Sequence, residues 1–188
     1  MGAEVIPKLT YDEFRELPDD GKRYELIHGE VHLTPSPTTR HQWVLHTLDY
    51  SLTTHVQREK LGEVWVAPLD VRLSGDTSVQ PDLLYVSSAR ADIIQENFIA
   101  GAPDLAVEIL SPSTAAHDRV TKLRLYADAG VAQVWYIDPM AKTVEVLKLE
   151  ARKYFVDSAL AGDQVLTSNL FPGWELPLDK LFDFRGRF

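Results

Sequence analysis

Leu105-Ala106-Val107-Glu108-Ile109-Leu110 is an apolar run broken by a single carboxylate. Pro103 precedes it and Ser111-Pro112 ends it, so it reads as a short strand buried on both faces, as in the interior of an α/β sheet. Glu108 is costly in that setting, because an ionised group out of water needs a cation, a metal or several hydrogen-bond donors. Upstream, Pro81-Asp82-Leu83-Leu84-Tyr85-Val86 has the same character and opens on a second acid.

The elements around these strands follow from local signals. Thr10 caps a short helix, with Glu13 three residues on. Arg23 to Ile27 and Glu30 to Leu33 flank His28-Gly29 and predict a hairpin. Pro35-Ser36-Pro37 breaks the chain, after which Thr38 or Thr39 can cap a long helix reaching about Leu61 and ended by Gly62. Trp43, Val44, Leu48, Leu52 and Val56 recur on it at helical spacing. Glu63 to Ala67 and Leu69 to Leu73 read as strands joined at Pro68, and residues 87–101 as short helices and loop. Ser111 to Thr114 stops the central strand and caps a helix running to about Ala129, which Gly130 terminates. Val134 to Ile137 and Thr143 to Leu149 are strands, and a weaker meander ends near Phe184. Strand-helix-strand succession with hairpins at both ends predicts the α/β class, a mixed sheet flanked by helices, in a single domain over residues 1–188.

Composition narrows the function classes. The chain of 188 residues is 45% hydrophobic and 25% charged, which is ordinary for a soluble globular protein. No apolar run approaches the roughly 20 residues that span a bilayer, and no basic-then-apolar leader opens the sequence, so no membrane partner is expected. The absence of cysteine removes disulfides, thiolate zinc sites and a cysteine nucleophile, and it fits a cytoplasmic setting. The six histidines show no HExxH or other zinc spacing. A net charge of −9 predicts modest, salt-sensitive affinity for nucleic acid unless the 19 basic residues cluster or metal ions cover the phosphates.

Hydrolysing a phosphodiester requires a nucleophilic water, charge stabilisation at the phosphate and help for the leaving oxygen. Magnesium supports all three and prefers a few carboxylates plus waters. Asp82 and Glu108, on strands expected to be neighbours, can supply such oxygens. Leu110 stands two residues beyond Glu108, so a cation must come from elsewhere. Asp118, Lys122 and Tyr126 lie at i, i+4 and i+8 and project from one side of the downstream helix, making Lys122 the candidate.

Pro81-Asp82 followed by Glu108 within Pro103 to Ser113 resembles the PD-(D/E)xK nuclease superfamily. More narrowly, the chain is similar to the bacterial Uma family, grouped with restriction endonucleases and earlier catalogued as a domain of unknown function. The likeness extends through Tyr24 to Glu30, Pro35 to His41, Asp118, Lys122, Tyr126, Ala129-Gly130-Val131, Trp135 to Pro139 and Pro172-Gly173. It implies a restriction-endonuclease-like fold and a DNA endonuclease dependent on Mg²⁺ (or Mn²⁺). Asp82 and Glu108 would bind the metal, Lys122 would be the catalytic lysine, and Glu25 would complete the acidic cluster. Leu110 departs from the superfamily pattern, in which lysine stands there. Cutting both strands needs two sites, so a homodimer is expected.

Each of these residues also has a plainer reading. Glu108 could be a structural acid paired with Lys122 or an arginine, Asp82 could shape a strand entrance, and Lys122 could pair with Asp118. Glu25 could form an exposed cross-strand pair. Asp104, two residues before Glu108, fits a solvated strand start better than a metal ligand. His41 could touch phosphate or sit idle on the surface. A catalytically inactive nuclease-fold module that binds a protein or nucleic-acid partner is the alternative to the enzyme.

Overall fold

Two mixed β-sheets and their packing helices make up the computed structural model, which describes residues 8–111 and 118–184. The first sheet has the order β2-β1-β5-β4-β7, from β1 (Arg23–Ile27), β2 (Glu30–Thr34), β4 (Asp70–Ser74), β5 (Thr77–Val79) and β7 (Phe98–Ala100). The second has the order β11-β10-β9-β8-β6-β3, from β3 (Gly62–Val66), β6 (Leu83–Ser87), β8 (Leu105–Ile109), β9 (Gln133–Asp138), β10 (Thr143–Glu150) and β11 (Lys153–Ala161). A small ladder joins β12 (Val165–Leu166) to β13 (Leu176–Pro177). One sheet is expected from the sequence; two form, because β4 and β5 pair with β1 and β7 while β3 and β6 pair with each other and with β8. β7, read from sequence as part of a loop, lies parallel to β4.

Strand β8 lies inside the second sheet, antiparallel to β6 and parallel to β9. That position explains its continuous apolar sequence, since neighbours cover both edges and packing covers both faces. Leu83, Tyr85, Leu105, Val107 and Ile109 belong to one core cluster, together with Val44, Leu45, Leu48, Leu52 and Val56 of helix α2 (Thr39–Glu59), the long successor of the short helix α1 (Tyr11–Arg15). The C-terminal segment closes the same cluster with Phe171, Trp174 and the last short helix, and Trp174 stacks on Trp135 at 5.9 Å. The alternate residues, Leu84, Val86, Ala106 and Leu110, join a second cluster with Ile27, Val71, Val79 and Ile99 of the first sheet. By two-residue alternation, Glu108 therefore points into the space between the sheets.

Helix α2 begins as its capping signal predicts, with the Thr38 hydroxyl accepting from the His41 N–H. Its end differs from expectation. Lys60, not glycine, takes the left-handed cap at φ 55°, and Gly62 opens β3 instead. A Cβ on Gly62 would meet the Val86 carbonyl oxygen and the Ser87 backbone, so glycine is required by the close approach of β6. Downstream of β8, a π-helical turn (Asp118–Lys122) runs into helix α3 (Leu123–Ala129), ended by Gly130 at φ 90°. The regular helix expected over this stretch is thus widened where Lys122 sits. Ser113 and Thr114, read as its cap, lie outside the described residues, as does the side chain of Asp118. Among the described residues no helix is long and apolar enough to cross a membrane.

Candidate functional site

Three elements deliver charged side chains to the space between the sheets. Glu108 comes from β8 and is 3% exposed; Glu25 comes from β1, and Lys122 from the π-helical turn, each 4% exposed. The Lys122 ammonium lies 3.2 Å from both Glu108 oxygens and 2.9 Å from Glu25 Oε1. Tyr126, one helical turn later, donates its hydroxyl to Glu108 Oε1 at 2.5 Å. Burial, followed by the Glu108 charge, pushes the Tyr126 phenol well above its ordinary pKa, so it remains a donor. The lysine reaches the site from the helix because Leu110, at the expected lysine position, is buried in the core that α3 covers.

Asp82 stands at the mouth of the same region. It precedes β6, whose Leu83 faces Val107 of β8. Where the ladder ends, Asp82 Oδ2 accepts from the Ile109 N–H at 2.7 Å, replacing a backbone partner. His41 Nε2 lies 3.1 Å from the same oxygen. Asp82 Oδ1 has no hydrogen bond among the described residues. A cavity of about 210 Å³ opens here, lined by Asp82, Glu108, Lys122, His41, Arg23 and Gln80, together with the Pro35–Thr38 stretch.

The structure thus brings Glu25, Glu108 and Lys122 into direct contact and puts Asp82 on the same cavity. Glu25 is not the exposed cross-strand residue of the plainer reading. Its Oε1 also accepts the Gln80 N–H at 2.7 Å. The Glu108–Lys122 pair of the plainer reading does form; it leaves Asp82 and the cavity unexplained. Asp104 is separate: Oδ2 accepts the Ser87 N–H at 2.7 Å and Oδ1 receives Arg90 at 3.1 Å. It ties β8 to the turn after β6 and is no part of the site.

Sequence reading left His41 between a phosphate contact and an idle surface residue, gave Gln80 and Arg23 no part in the site, and left Tyr126 without a role. For His41 a signal was present. His41, Val44, Leu45, Leu48, Leu52, His55 and Val56 are the buried residues of α2, so His41 extends the apolar stripe one turn towards the N-terminus, where an idle surface histidine would break it. No sequence signal marks Gln80, because its N–H and its Oε1 meet Glu25 and Arg23, both more than fifty residues away in the chain.

Asp82 and Glu108 fit a hard divalent cation. They offer carboxylate oxygens, of which Asp82 Oδ1 has no hydrogen bond among the described residues, beside a cavity with room for water, and magnesium keeps several waters rather than demanding a protein cage. Among the described residues no group of three or more His, Cys, Asp or Glu side chains is disposed to hold a metal by itself.

The family pattern of Uma2, described as "Putative restriction endonuclease", matches residues 11–179. The crystal structure of a protein from Anabaena variabilis ATCC 29413, described as a putative nuclease belonging to DUF820, superimposes with a TM-score of 0.77 at 23% identity, over 93% of this chain and 97% of that one. At that identity the likeness concerns the fold. No curated protein matches the chain.

Proposed function

The chain belongs to the Uma2 family, and from that premise we propose that it is a metal-dependent endonuclease hydrolysing phosphodiester bonds of DNA. The observation that carries this reading is the Lys122 ammonium, 3.2 Å from both oxygens of Glu108 at a cavity that Asp82 also lines. An ion pair alone needs neither a second carboxylate nor an opening to solvent.

Asp82 and Glu108 would hold Mg²⁺ or Mn²⁺, which when bound supplies Lewis acidity at the phosphate and a more acidic water. The chain's own residues do the rest. Lys122, secured by Glu25, offsets negative charge that develops as water adds to phosphorus and the bond to the leaving sugar oxygen breaks. Tyr126 fixes the Glu108 carboxylate by donating to Oε1, and His41 with the Ile109 N–H fixes Asp82, so both acids are oriented before substrate arrives. Cleavage of both strands would need two such sites, which a symmetric homodimer supplies.

Plasmid nicking with Mg²⁺ tests the proposal, comparing the parent with Glu108→Ala and Lys122→Ala. The parent should convert supercoiled to open-circular and linear DNA, and both variants should lose that activity by at least about 100-fold, the scale of removing one transition-state charge contact. An inactive parent that still binds DNA or a protein would favour the non-catalytic module, which the net charge of −9 also suits.

A further inference from the structure

The cavity is lined by two carboxylates, Asp82 and Glu108, and by two cations, Lys122 and Arg23. Lys122 is engaged by Glu108 and Glu25. Arg23 is not comparably occupied. Its Nε donates to Gln80 Oε1 at 3.3 Å, and among the described residues its two terminal nitrogens have no hydrogen bond or ion pair. Gln80 is itself fixed, because its N–H is held by Glu25 and its Nε2 donates to Asp70 Oδ1 at 2.9 Å. The guanidinium is therefore anchored at one nitrogen while its outer edge stays open. Two neighbouring N–H groups in one plane match two oxygens of a phosphate.

Arg23 and Gln80 also line a second, larger groove, whose other walls include Leu17, Pro18, Val31 and Pro68. The arginine thus marks the boundary where a strand leaving the cavity would pass. A phosphodiester approaching Asp82 and Glu108 meets two negative charges, and a committed lysine does little to attract it. An open-edged cation at this boundary supplies that attraction.

We infer that Arg23 binds a backbone phosphate of the nucleic-acid strand seated in the cavity. The inference rests on the nuclease reading for its ligand, and it concerns binding only. Binding of short fluorescein-labelled oligodeoxynucleotides, single-stranded and duplex, is measured by anisotropy across a salt series. Calcium replaces magnesium, and the probe is checked intact on a gel.

Arg23→Gln, which keeps an amide for Gln80, should bind about tenfold more weakly at low salt. Its slope of log affinity against log salt should be shallower by about 0.7 for the single strand or 0.9 for the duplex, one phosphate contact. Arg23→Lys should recover the slope with only part of the affinity, since it restores the charge without the fork. Arg58→Ala is the control: Arg58 lies seventeen residues beyond His41 on α2, about 26 Å along the helix, and its removal should leave the slope unchanged. An unchanged slope in Arg23→Gln, an equal fall in Arg58→Ala, or a parent that binds neither probe would overturn the inference. Absence of nicking would count against the nuclease reading and leave this measurement standing.

Discussion

Replacing Lys122 by methionine keeps the chain length and removes the charge that Glu25 and Glu108 share. The side chains of Lys122, Glu25 and Glu108 are 5%, 5% and 3% exposed, so water cannot replace the ammonium without rearrangement. Removing one partner of a buried ion pair costs about 3–5 kcal/mol. Two donors survive, Tyr126 to Glu108 and the Gln80 N–H to Glu25, which puts Lys122→Met near the lower end, about 3 kcal/mol. In a chain of this size that lowers the melting midpoint by roughly 6–12 °C. Urea unfolding followed by tryptophan fluorescence measures it, since Trp135 and Trp174 are buried in the core. Glu108→Gln in the same background closes a double-mutant cycle. Because the carboxylates left without their cation are the source of the cost, and the double variant leaves Glu25 as the only one of the two, it should be more stable than additivity predicts by about 1–3 kcal/mol. Millimolar Mg²⁺ should raise the midpoint of Lys122→Met more than that of the parent, as a divalent ion replaces the missing charge. A Lys122→Met variant within about 1 kcal/mol of the parent, or a strictly additive cycle, would refute the argument that this ammonium neutralises two buried acids.

Two further outcomes test other parts of the structure. Arg119 grips Glu145 through paired 2.8 Å bonds and holds its carboxyl below the ordinary range; a depressed folded pKa gives stability that is present above the unfolded value and lost as pH falls through the folded one. The side chains are 39% and 30% exposed, so between about pH 6 and pH 3 the parent should lose about 0.3–1 kcal/mol more than Glu145→Gln, read from urea midpoints at each pH; equal losses would disprove the linkage. Gly62→Ala should destabilise by at least about 2 kcal/mol because its Cβ meets the Val86 carbonyl, whereas Gly75→Ala, with nothing nearby, should stay within about 0.5 kcal/mol; matching effects would show that the approach of β6 is not what requires glycine at 62.

Legibility from sequence followed the range of the interaction. The β8 run, the α2 stripe and its Thr38 cap were readable because each is a pattern between near neighbours. Asp82 and Glu108 were also readable as candidates, since charge inside or beside apolar runs is costly enough to need a reason; Lys122 was readable from its helical spacing with Asp118 and Tyr126, and Glu25 only through the family resemblance. The π-helical turn was not, because it differs from an α-helix by hydrogen-bond register rather than residue type. The division into two sheets was equally hidden: β3 and β4 are adjacent in sequence and similar in pattern, and which sheet each joins is settled by pairing partners far along the chain.

What the amino-acid order determined alone is that a carboxylate, Glu108, must lie in an interior strand and must find a cation, a metal or several donors there. Which cation, and in what company, was decided by tertiary structure. Leu110 takes the core position beside Glu108, so the ammonium comes from a helix fourteen residues on, and β1 of the other sheet contributes Glu25 to its far side. Backbone alternation fixes the face of a side chain locally, whereas the meeting of two sheets and a helix depends on how their apolar surfaces pack, which no short stretch of sequence records.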